Sequence, residues 1–354
     1  MTPPRENDAA PEIVDALAEL LGQPLKEIRV QEAAGPRRPD LVVSTPGRYF
    51  VAGYKNVASA GPLAGAIRHL SEQAKAVHRK KSAVPLMVVP FMGPVGERLC
   101  EEAGVSWLDL SGNAKIVAPG LRIWVHGRPN KYAARGRPPN VFAPKSSRVS
   151  RQLLLRPERF QTQSELARET GLDDGYVSKI VRRLEQEEYL DANETGAVRP
   201  RDPALLLDAW RDTYDFGRHR ILKGHVFARS GEDLLAKLAG QLARPQENFA
   251  ATGLAAAWLY HHYAAFRLVT VYLSAMPSRA VLNEIGFKEQ PSGANLWLVV
   301  PQDEGVFAAS QVRDAIRCVS PVQTYLDLKG QPERAKDAAA ELRKKFLNWG
   351  RHGK

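Results

Sequence analysis

Apolar residues recur at helical or strand-like spacing along most of the chain. In the first 126 residues the helical and strand-like stretches alternate, which favours an α/β layer. The turn signal Thr45-Pro-Gly-Arg48 separates the first two predicted strands. The predicted helices cover residues 12–21, 64–78 and 93–103, and the predicted strands cover 40–44, 49–54, 84–90 and 105–109.

The region 148–202 has a more specific pattern. Thr162 and Glu165 have the Thr-x-x-Glu spacing of a capping box, which predicts a helix start there. Gly171 lets the chain leave this helix in a left-handed conformation, and Asp173 can cap a second helix that ends near residue 186. The apolar residues that recur every three or four positions in the second helix are Val177, Ile180, Val181 and Leu184. Two short helices joined by a tight turn predict a helix-turn-helix.

The opposite face of the second helix is polar and basic. After that helix, residues 189–192 and 197–200 predict two short strands joined by a turn, a small wing that ends near Arg199 and Arg201. A preceding helix over 148–156 supplies a third packing element. The outward residues of the second helix are Tyr176, Ser178, Lys179, Arg182 and Arg183.

Residues 151–201 resemble winged helix-turn-helix domains of the MarR and IclR type. The matching stretches are Gln163-Ser-Glu-Leu-Ala-Arg-Glu-Thr-Gly-Leu and Tyr176-Val-Ser-Lys-Ile-Val-Arg-Arg-Leu-Glu. The resemblance implies that the second helix enters the major groove of double-stranded DNA, and that a homodimer reads two half-sites. The alternative is a winged helix used for protein contacts.

The basic excess is concentrated in one stretch. The chain has 50 Lys and Arg against 39 Asp and Glu, a formal net charge of +11. Between Asp109 and Glu158 there is no carboxylate but ten bases, a composition that suits a polyanion such as nucleic acid or a solvated linker. We expect three of these bases, Lys145, Arg148 and Arg151, to contact DNA together with Arg199 and Arg201.

The N-terminal region carries a second resemblance. Pro39-Asp40, a strand, a turn and then Gly53-Tyr54-Lys55 are similar to the Pro-Asp…(Asp/Glu)-x-Lys arrangement of restriction-endonuclease-like folds. In those folds two carboxylates hold a divalent metal and a lysine assists the attacking water. Gly53 stands where the second carboxylate belongs, with Asp109 as a possible substitute, so we expect an inactive, degenerate domain.

The C-terminal region resembles AbiEi-type antitoxins of type IV toxin–antitoxin systems. The resemblance covers residues 148–349 and is carried by the stretches 252–257, 269–273, 293–298 and 319–328 and by a helix over 334–346. It implies an α/β domain related to nucleotidyltransferases and an autorepressing regulator with a cognate toxin as a possible partner. The paired Asp-x-Asp carboxylates of nucleotidyltransferases are absent from the sequence, so no transfer chemistry is assigned.

The predicted organisation is therefore an α/β multidomain chain. A restriction-endonuclease-like α/β domain covers 1–126 and a basic Pro/Gly-rich linker covers 127–147. A winged helix-turn-helix covers 148–202, and an α/β nucleotidyltransferase-like domain covers 203–354.

Composition narrows the class of protein further. Two cysteines, Cys100 and Cys318, exclude a disulfide framework and predict buried thiols in a cytoplasmic protein. Neither a signal peptide nor a membrane span is predicted. The adjacent His261 and His262 point to different faces of a helix, so we expect no metal site there. We expect no other cofactor either.

The function predicted from the sequence is a sequence-specific DNA-binding transcriptional regulator without catalysis, and possibly an autoregulating antitoxin. Two alternatives stay open: a metal-dependent nuclease targeted by the winged helix, and an antitoxin that acts mainly through protein–protein contact.

Overall fold

A computed structural model describes residues 1–24, 29–31, 41–45, 48–56, 59–77, 83–132, 140–242, 249–263 and 265–349. The chain divides into two compact units. The first comprises Met1–Pro139 and Gln186–Glu188, and the second comprises Asn140–Glu185 and Tyr189–Lys354. The second unit thus contains both the region 148–202, apart from three residues, and the C-terminal region.

The first unit holds three helices and seven strands among its described residues. The helices are α1 (Ala10–Leu21), α2 (Ala60–Val77) and α3 (Pro94–Glu102). The strands are β1 (Arg29–Gln31), β2 (Leu41–Thr45), β3 (Arg48–Tyr54), β4 (Ala83–Val89), β5 (Ser106–Asp109), β6 (Ala114–Ala118) and β7 (Leu121–Val125).

The seven strands form one mixed sheet in chain order. Strands β3, β4 and β5 run parallel because α2 and α3 connect them, and the strands at both edges pair antiparallel. Side chains of β3 alternate between two cores, as the period of a strand requires. Phe50, Ala52 and Tyr54 pack with α1 on one face, whereas Val51 packs with α2 on the other.

The helices and strands predicted for this region are confirmed, with ends that differ by a few residues. The hairpin of β6 and β7 was not predicted. Its turn contains Pro119 and Gly120, and Gly120 has a φ of 69°. The Pro-Gly pair between two alternating stretches was the signal that could have found it.

The second unit begins with three helices and a two-stranded wing. The helices are α4 (Ser147–Leu155), α5 (Gln163–Thr170) and α6 (Asp174–Gln186). The wing strands β8 (Leu190–Ala192) and β9 (Val198–Pro200) pair antiparallel, and Gln161 adds an isolated bridge to Val198.

The rest of the second unit is α/β. Its helices are α7 (Pro203–Thr213), α8 (Gly231–Leu242), α9 (Gly253–His261), α10 (Arg279–Glu284), α11 (Pro321–Asp327) and α12 (Ala335–Phe346). Its strands are β10 (Arg220–His225), β11 (Phe249–Thr252), β12 (Val269–Leu273), β13 (Lys288–Glu289), β14 (Leu296–Val300), β15 (Gln311–Arg313) and β16 (Ile316–Cys318). Short 3₁₀ helices cover Phe216–Arg218 and Glu304–Phe307.

These strands form a second seven-stranded mixed sheet in the order β13-β10-β14-β12-β11-β16-β15. The fully buried strand β12 lies at its centre, between β14 and β11. In this region the apolar runs at 269–273 and 296–300 predict strands, and the structure forms both of them, together with the helix expected over 334–346. The α/β class is also confirmed, while the finer domain assignments stay predictions. In the described residues, no helix is long and apolar enough to cross a membrane.

Candidate nucleic-acid interface

The two helices α5 and α6 are positioned by local interactions that the sequence predicts. Thr162 Oγ1 accepts a hydrogen bond from the Glu165 amide at 3.2 Å, and Glu165 Oε2 accepts one from the Thr162 amide at 2.9 Å. Gly171 ends α5 with a φ of 66°, a conformation that glycine adopts without a steric penalty. Asp173 Oδ1 then accepts a hydrogen bond from the Tyr176 amide at 2.8 Å and caps α6. The predicted capping box, turn and second cap are all confirmed.

Helix α6 separates its apolar and basic residues. Its four apolar residues, Val177, Ile180, Val181 and Leu184, are all buried. On the opposite face Lys179 and Arg182 are exposed, and Ser178 is half-buried beside them. Arg183, at the flank of this face, is also half-buried. Helix α6 therefore directs the side chains of Lys179, Arg182 and Ser178 away from its buried apolar face.

Tyr176 lies at the start of α6 and is held by the preceding segment. Its hydroxyl is hydrogen-bonded to Ser146 Oγ at 2.8 Å, and the Lys145 ammonium lies 5.4 Å from the centre of its ring. Tyr176 is thus half-buried, while Lys145 remains exposed. Tyr176 thus connects the segment before α4 to α6, and this contact is separate from the DNA contact predicted for the residue.

The wing holds its two arginines in different ways. The Arg199 guanidinium lies 4.5 Å from the centre of the Phe160 ring, and the residue is half-buried. Arg201 is exposed, and its Nε donates a hydrogen bond to Asp191 Oδ1 at 2.8 Å. Both side chains are ordered by neighbours in the wing, and the exposed wing turn adds the acidic Glu194.

Comparison with known proteins adds one match. A family model described as "Winged helix-turn-helix DNA-binding" matches residues 154–191, which include α5, α6 and the first two residues of wing strand β8. Residues 154–191 are a winged helix-turn-helix. No curated protein and no solved structure matches the chain significantly. The winged helix-turn-helix supports DNA as a partner of this protein.

Helix α4, which lies almost entirely before the matched segment, has both of its arginines engaged by protein groups. Arg148 donates from Nε and Nη2 to the two carboxylate oxygens of Asp303, both at 2.8 Å, and from Nη1 to the Thr170 carbonyl at 3.2 Å. Nη2 also reaches Glu304 at 3.2 Å. The structure does not favour the predicted DNA contact of Arg148, because its donors bind residues of its own unit.

Arg151 is withdrawn further. Only 3% of the residue is exposed, its Nη2 donates to Gln323 Oε1 at 2.6 Å, and its guanidinium lies 5.0 Å from the centre of the Trp210 ring. Burial lowers the pKa of Arg151. The burial of this side chain argues against the predicted DNA contact of Arg151.

Three bases of the stretch between Asp109 and Glu158 are engaged by protein groups. Lys115 pairs with Glu101 at 2.9 Å in the first unit, while Arg148 and Arg151 are engaged inside the second unit. Arg135 and Arg137 lie outside the described residues. Of the three bases predicted to contact DNA from this stretch, Lys145 alone remains exposed.

The predicted nuclease-like constellation is not supported by the described residues. Asp109 is fully buried, and its carboxylate accepts three hydrogen bonds from the Met92 amide, the Asn113 amide and Asn113 Nδ2. Lys55 pairs with Glu6 at 3.3 Å, and Gly53 lies in β3 without a side chain. Asp40 lies outside the described residues. Three acceptor positions of the Asp109 carboxylate are therefore already occupied by donors of the protein.

A buried polar network in the C-terminal region was not predicted. The carboxylate of Asp327 accepts hydrogen bonds from Thr252, Tyr272 and Gln323 at 2.5, 3.0 and 2.7 Å, and a further one from Tyr214. Burial raises the pKa of Asp327 to about 6, although its hydrogen bonds oppose that shift. Its members come from four elements that are far apart in the chain, so no local sequence signal could have found it.

His219 completes this network. Its Nδ1 accepts a hydrogen bond from the Gln302 amide at 3.2 Å, so Nε2 carries the proton and faces the hydroxyls of Tyr214 and Tyr272 at 3.0 and 3.1 Å. Burial and the nearby Arg151 charge lower the pKa of His219 to about 4. The imidazole is therefore neutral at pH 7.

The remaining predictions concern cysteines and histidines. Cys100 and Cys318 are buried free thiols, as predicted. His261 contacts Lys345, and His262 contacts Asp314. In the described residues no group of three or more His, Cys, Asp or Glu side chains could hold a metal ion.

Proposed function

We propose that this protein is a sequence-specific transcriptional regulator that inserts α6 into the major groove of double-stranded DNA. The observation that carries the proposal is the exposed pair Lys179 and Arg182 on the outward face of a helix whose other face is buried, in a segment that matches DNA-binding winged helices. Lysine and arginine donate to guanine O6 and N7, the commonest specific contacts in the major groove.

The other exposed or half-buried polar residues around α6 have supporting roles in this proposal. Ser178 and Arg183 flank the two long cations, and Tyr176 sits at the helix start. The residues proposed to contact the phosphate backbone are Lys145, Arg199 and Arg201. Phosphate contacts fix the register of a protein on the duplex and carry no sequence information directly.

The salt dependence of binding follows from the number of phosphates that the protein neutralises. The sequence alone predicted about six neutralised phosphates and a slope of log K against log salt near −5. With Lys145, Arg199 and Arg201 as the phosphate contacts, about three phosphates are neutralised, and the expected slope is about −2.7. A titration of affinity against salt concentration measures this slope, and a salt-insensitive complex would contradict the electrostatic part of the proposal.

The direct experiment is footprinting on the DNA upstream of the protein's own gene. We expect a protected site that survives a large excess of unrelated competitor DNA. A protein that binds all fragments equally, or none, would contradict sequence-specific regulation. Protection of two half-sites about one helical turn apart would support the proposed homodimer, and an analytical measurement of mass in solution checks it.

We also propose that the regulator acts on its own gene as an antitoxin does, which rests on the resemblance of residues 148–349 to AbiEi-type proteins. Co-purification of the product of an adjacent gene tests for the cognate toxin. We propose no catalysis, because Asp109 and Lys55 are both engaged by other residues. Incubation of plasmid with the protein and Mg²⁺ or Mn²⁺ tests this, and cleavage that Asp40→Ala abolishes would favour a nuclease instead.

A further inference from the structure

Strand β7 is the open edge of the sheet in the first unit. It pairs with β6 on one side, and among the described residues no strand pairs with its other side. The backbone amides and carbonyls along such an edge are a template for pairing with a strand of another chain. Very short edge strands reduce this tendency. In the second sheet the edge strands β13 and β15 have only two and three residues, whereas β7 has five.

Large apolar side chains are exposed beside this open edge. Trp124 in β7 is 65% exposed, and Val117 in the adjacent β6 is 56% exposed. Exposed apolar residues that lie side by side mark an interaction surface more often than single ones do. The open backbone edge and the exposed apolar side chains therefore coincide at one place in the first unit.

The register of the hairpin shows which backbone groups of β7 are open. Ala118 pairs with Leu121 across a two-residue turn, and the closing pair of such a hairpin is hydrogen-bonded in both directions. Hydrogen-bonded positions alternate along a strand, so Leu121 and every second residue after it direct their backbone groups toward β6. The amides and carbonyls of Arg122 and Trp124 consequently face away from the sheet.

The side chains of Arg122 and Trp124 lie on the same face of the hairpin, because they are two positions apart in a strand. In β6, Val117 lies opposite Arg122, and Lys115 lies opposite Trp124. The Lys115 ammonium is 5.2 Å from the centre of the Trp124 ring. Arg122 is exposed, and its guanidinium has no ion-pair partner in the part of the chain that the structure describes.

The charges around Trp124 favour a protein partner over a polyanion. Lys115 pairs with Glu101 at 2.9 Å, and His126 lies 3.7 Å from Glu97. Acidic residues of α3 thus accompany the basic residues of the hairpin, whereas a nucleic-acid surface needs cations that can neutralise phosphates. Tryptophan and arginine are enriched at protein–protein interfaces.

Strand β7 is complementary to a second copy of itself. When two β7 strands lie antiparallel about a two-fold axis at Ile123, Arg122 of each copy faces Trp124 of the other. These are the residues whose backbone groups are open, so each such pair can exchange two backbone hydrogen bonds. An axis at Arg122 or at Trp124 would pair fewer residues of the strand, and an axis at Arg122 would also place two like charges opposite each other.

We infer that β7 is a homodimerisation surface, at which two copies of the chain join their sheets by antiparallel β7–β7 pairing about Ile123. The Trp124 ring of each copy then lies between its own Lys115 and the partner's Arg122. A five-residue strand buries less area than a standard interface, so we expect a weak dimer with a Kd in the micromolar range. The inference concerns the first unit and needs no DNA, and it therefore does not rest on the proposed function.

The test is sedimentation velocity of the full chain without DNA, at concentrations from about 1 to about 200 µM. We expect the mass to rise from that of a monomer to that of a dimer. Trp124→Arg places two arginines opposite each other and should raise the dimer Kd by about tenfold or more. The double variant Arg122→Glu/Trp124→Arg should restore the dimer, because in this register the new acid of each copy faces the new arginine of the other.

Both substituted side chains are exposed, so the variants should keep the fold, and circular dichroism checks this. Phe227→Arg is the matched control, because it adds the same charge at an apolar residue of the second unit that is 82% exposed. It should leave the dimer Kd unchanged.

Cross-linking tests the register directly. The two copies of Ile123 form a non-hydrogen-bonded pair with Cα atoms about 4.5 Å apart, which a disulfide can span. Ile123→Cys should therefore form a covalent dimer under mild oxidation. Val117→Cys is the control, because the two copies of β6 lie three strand spacings apart, about 14 Å. The native Cys100 and Cys318 are buried.

Four results overturn the inference. They are a monomer at every concentration, a dimer that Trp124→Arg leaves intact, a double variant that does not restore the dimer, and equal cross-linking of Ile123→Cys and Val117→Cys. All of these measurements are made without DNA, and a monomer can still protect an operator. Failure of the dimer is therefore distinguishable from failure of the proposed regulator.

Discussion

Helix α6 lies within the winged helix-turn-helix, whereas α4 lies almost entirely before it, and the two helices use their basic residues in opposite ways. On α6, Lys179 and Arg182 are exposed above a buried apolar face. On α4, Arg148 is bound to Asp303 and Arg151 is buried against Gln323 and Trp210. Residue type and helical spacing are similar in the two helices. The difference comes from the C-terminal region, which packs on α4 and leaves the outward face of α6 exposed.

This contrast shows that cations near a DNA-binding motif have two possible roles. Those on α6 are available to a polyanion, because both side chains are exposed and neither has an ion-pair partner among the described residues. Those on α4 have protein partners that already satisfy part of their charge, and a guanidinium removed from such partners leaves a buried carboxylate uncompensated. Substitution of the basic residues on α6 should therefore lower the affinity for DNA. Substitution of the arginines on α4 should instead lower the free energy of unfolding.

The largest expected effect is on DNA affinity. Replacing both Lys179 and Arg182 with alanine should cost about 1–3 kcal/mol for each residue, which is about 5-fold to 150-fold in Kd for each, if they read bases. The measurement is an electrophoretic or fluorescence-anisotropy titration against the footprinted site. Arg279→Ala, an exposed arginine on α10, is the matched control and should leave affinity unchanged. Equal losses in the two variants would mean that only general charge matters.

The next effect is on stability. Arg148→Ala removes a bidentate partner from Asp303, whose side chain is only 12% exposed, and should lower the free energy of unfolding by about 3 kcal/mol. Urea denaturation measures this loss. Arg334→Ala breaks an exposed pair with Asp337 and should cost less than about 1 kcal/mol.

Under conditions where Arg148→Ala is folded, its DNA affinity should stay within about threefold of the parent protein. A large loss of affinity without a loss of stability would instead return Arg148 to the DNA-contacting set. The two readouts together thus separate the roles of α4 and α6.

The third expected effect is on the pH dependence of the free energy of unfolding, through the buried network of Asp327 and His219. The raised pKa of Asp327, about 6 when folded, means that the native state binds the proton more tightly. This group therefore makes the free energy of unfolding fall as the pH rises from about 4 to 6, by about 2–3 kcal/mol. The lowered pKa of His219, about 4, acts in the opposite direction, because the unfolded state binds its proton more tightly.

We therefore expect the two contributions to offset each other in the parent protein and to separate in variants. Asp327→Asn should have a free energy of unfolding that rises more steeply between pH 4 and 6.5 than that of the parent. His219→Gln should show a decline over the same range. Denaturant unfolding at several pH values measures both, and parallel pH profiles for all three proteins would be inconsistent with the described network.

The smallest expected effect comes from a local interaction of the winged helix. Thr162→Ala removes the side-chain half of the capping box and should lower the free energy of unfolding by about 1 kcal/mol. Ser164→Ala, an exposed position within α5, is the matched control and should change stability by less than about 0.5 kcal/mol. Thermal denaturation compares them, and indistinguishable losses would show that the cap contributes little.

Much of the local structure was predictable from the sequence because short-range interactions decide it. The capping box of Thr162 and Glu165, the left-handed Gly171 and the four buried residues of α6 follow from spacing alone. The same holds for β3 and β4, whose apolar residues predict strands whatever surrounds them. The turn between β6 and β7 is also marked locally, by the adjacent Pro119 and Gly120.

The candidate interface was predictable only in part. Helical period places Lys179 and Arg182 opposite an apolar face, and the structure leaves both exposed. The same reasoning placed Arg148 and Arg151 on the surface, because no local pattern shows that Asp303 and Gln323, more than 150 residues away in the chain, will pack against α4. Asp109 likewise appeared free until the turn formed by Asn113 was known.

By itself, then, the sequence determined the helix-turn-helix, its caps and the polar face of α6, since these depend on residues within a few positions of one another. Only the tertiary structure decided which cations remain in solvent, that the Arg151 guanidinium is buried, and which groups share the proton equilibria around Asp327. The physical reason is that burial and pairing depend on partners brought together by packing, whereas caps and helical faces depend on spacing along the chain.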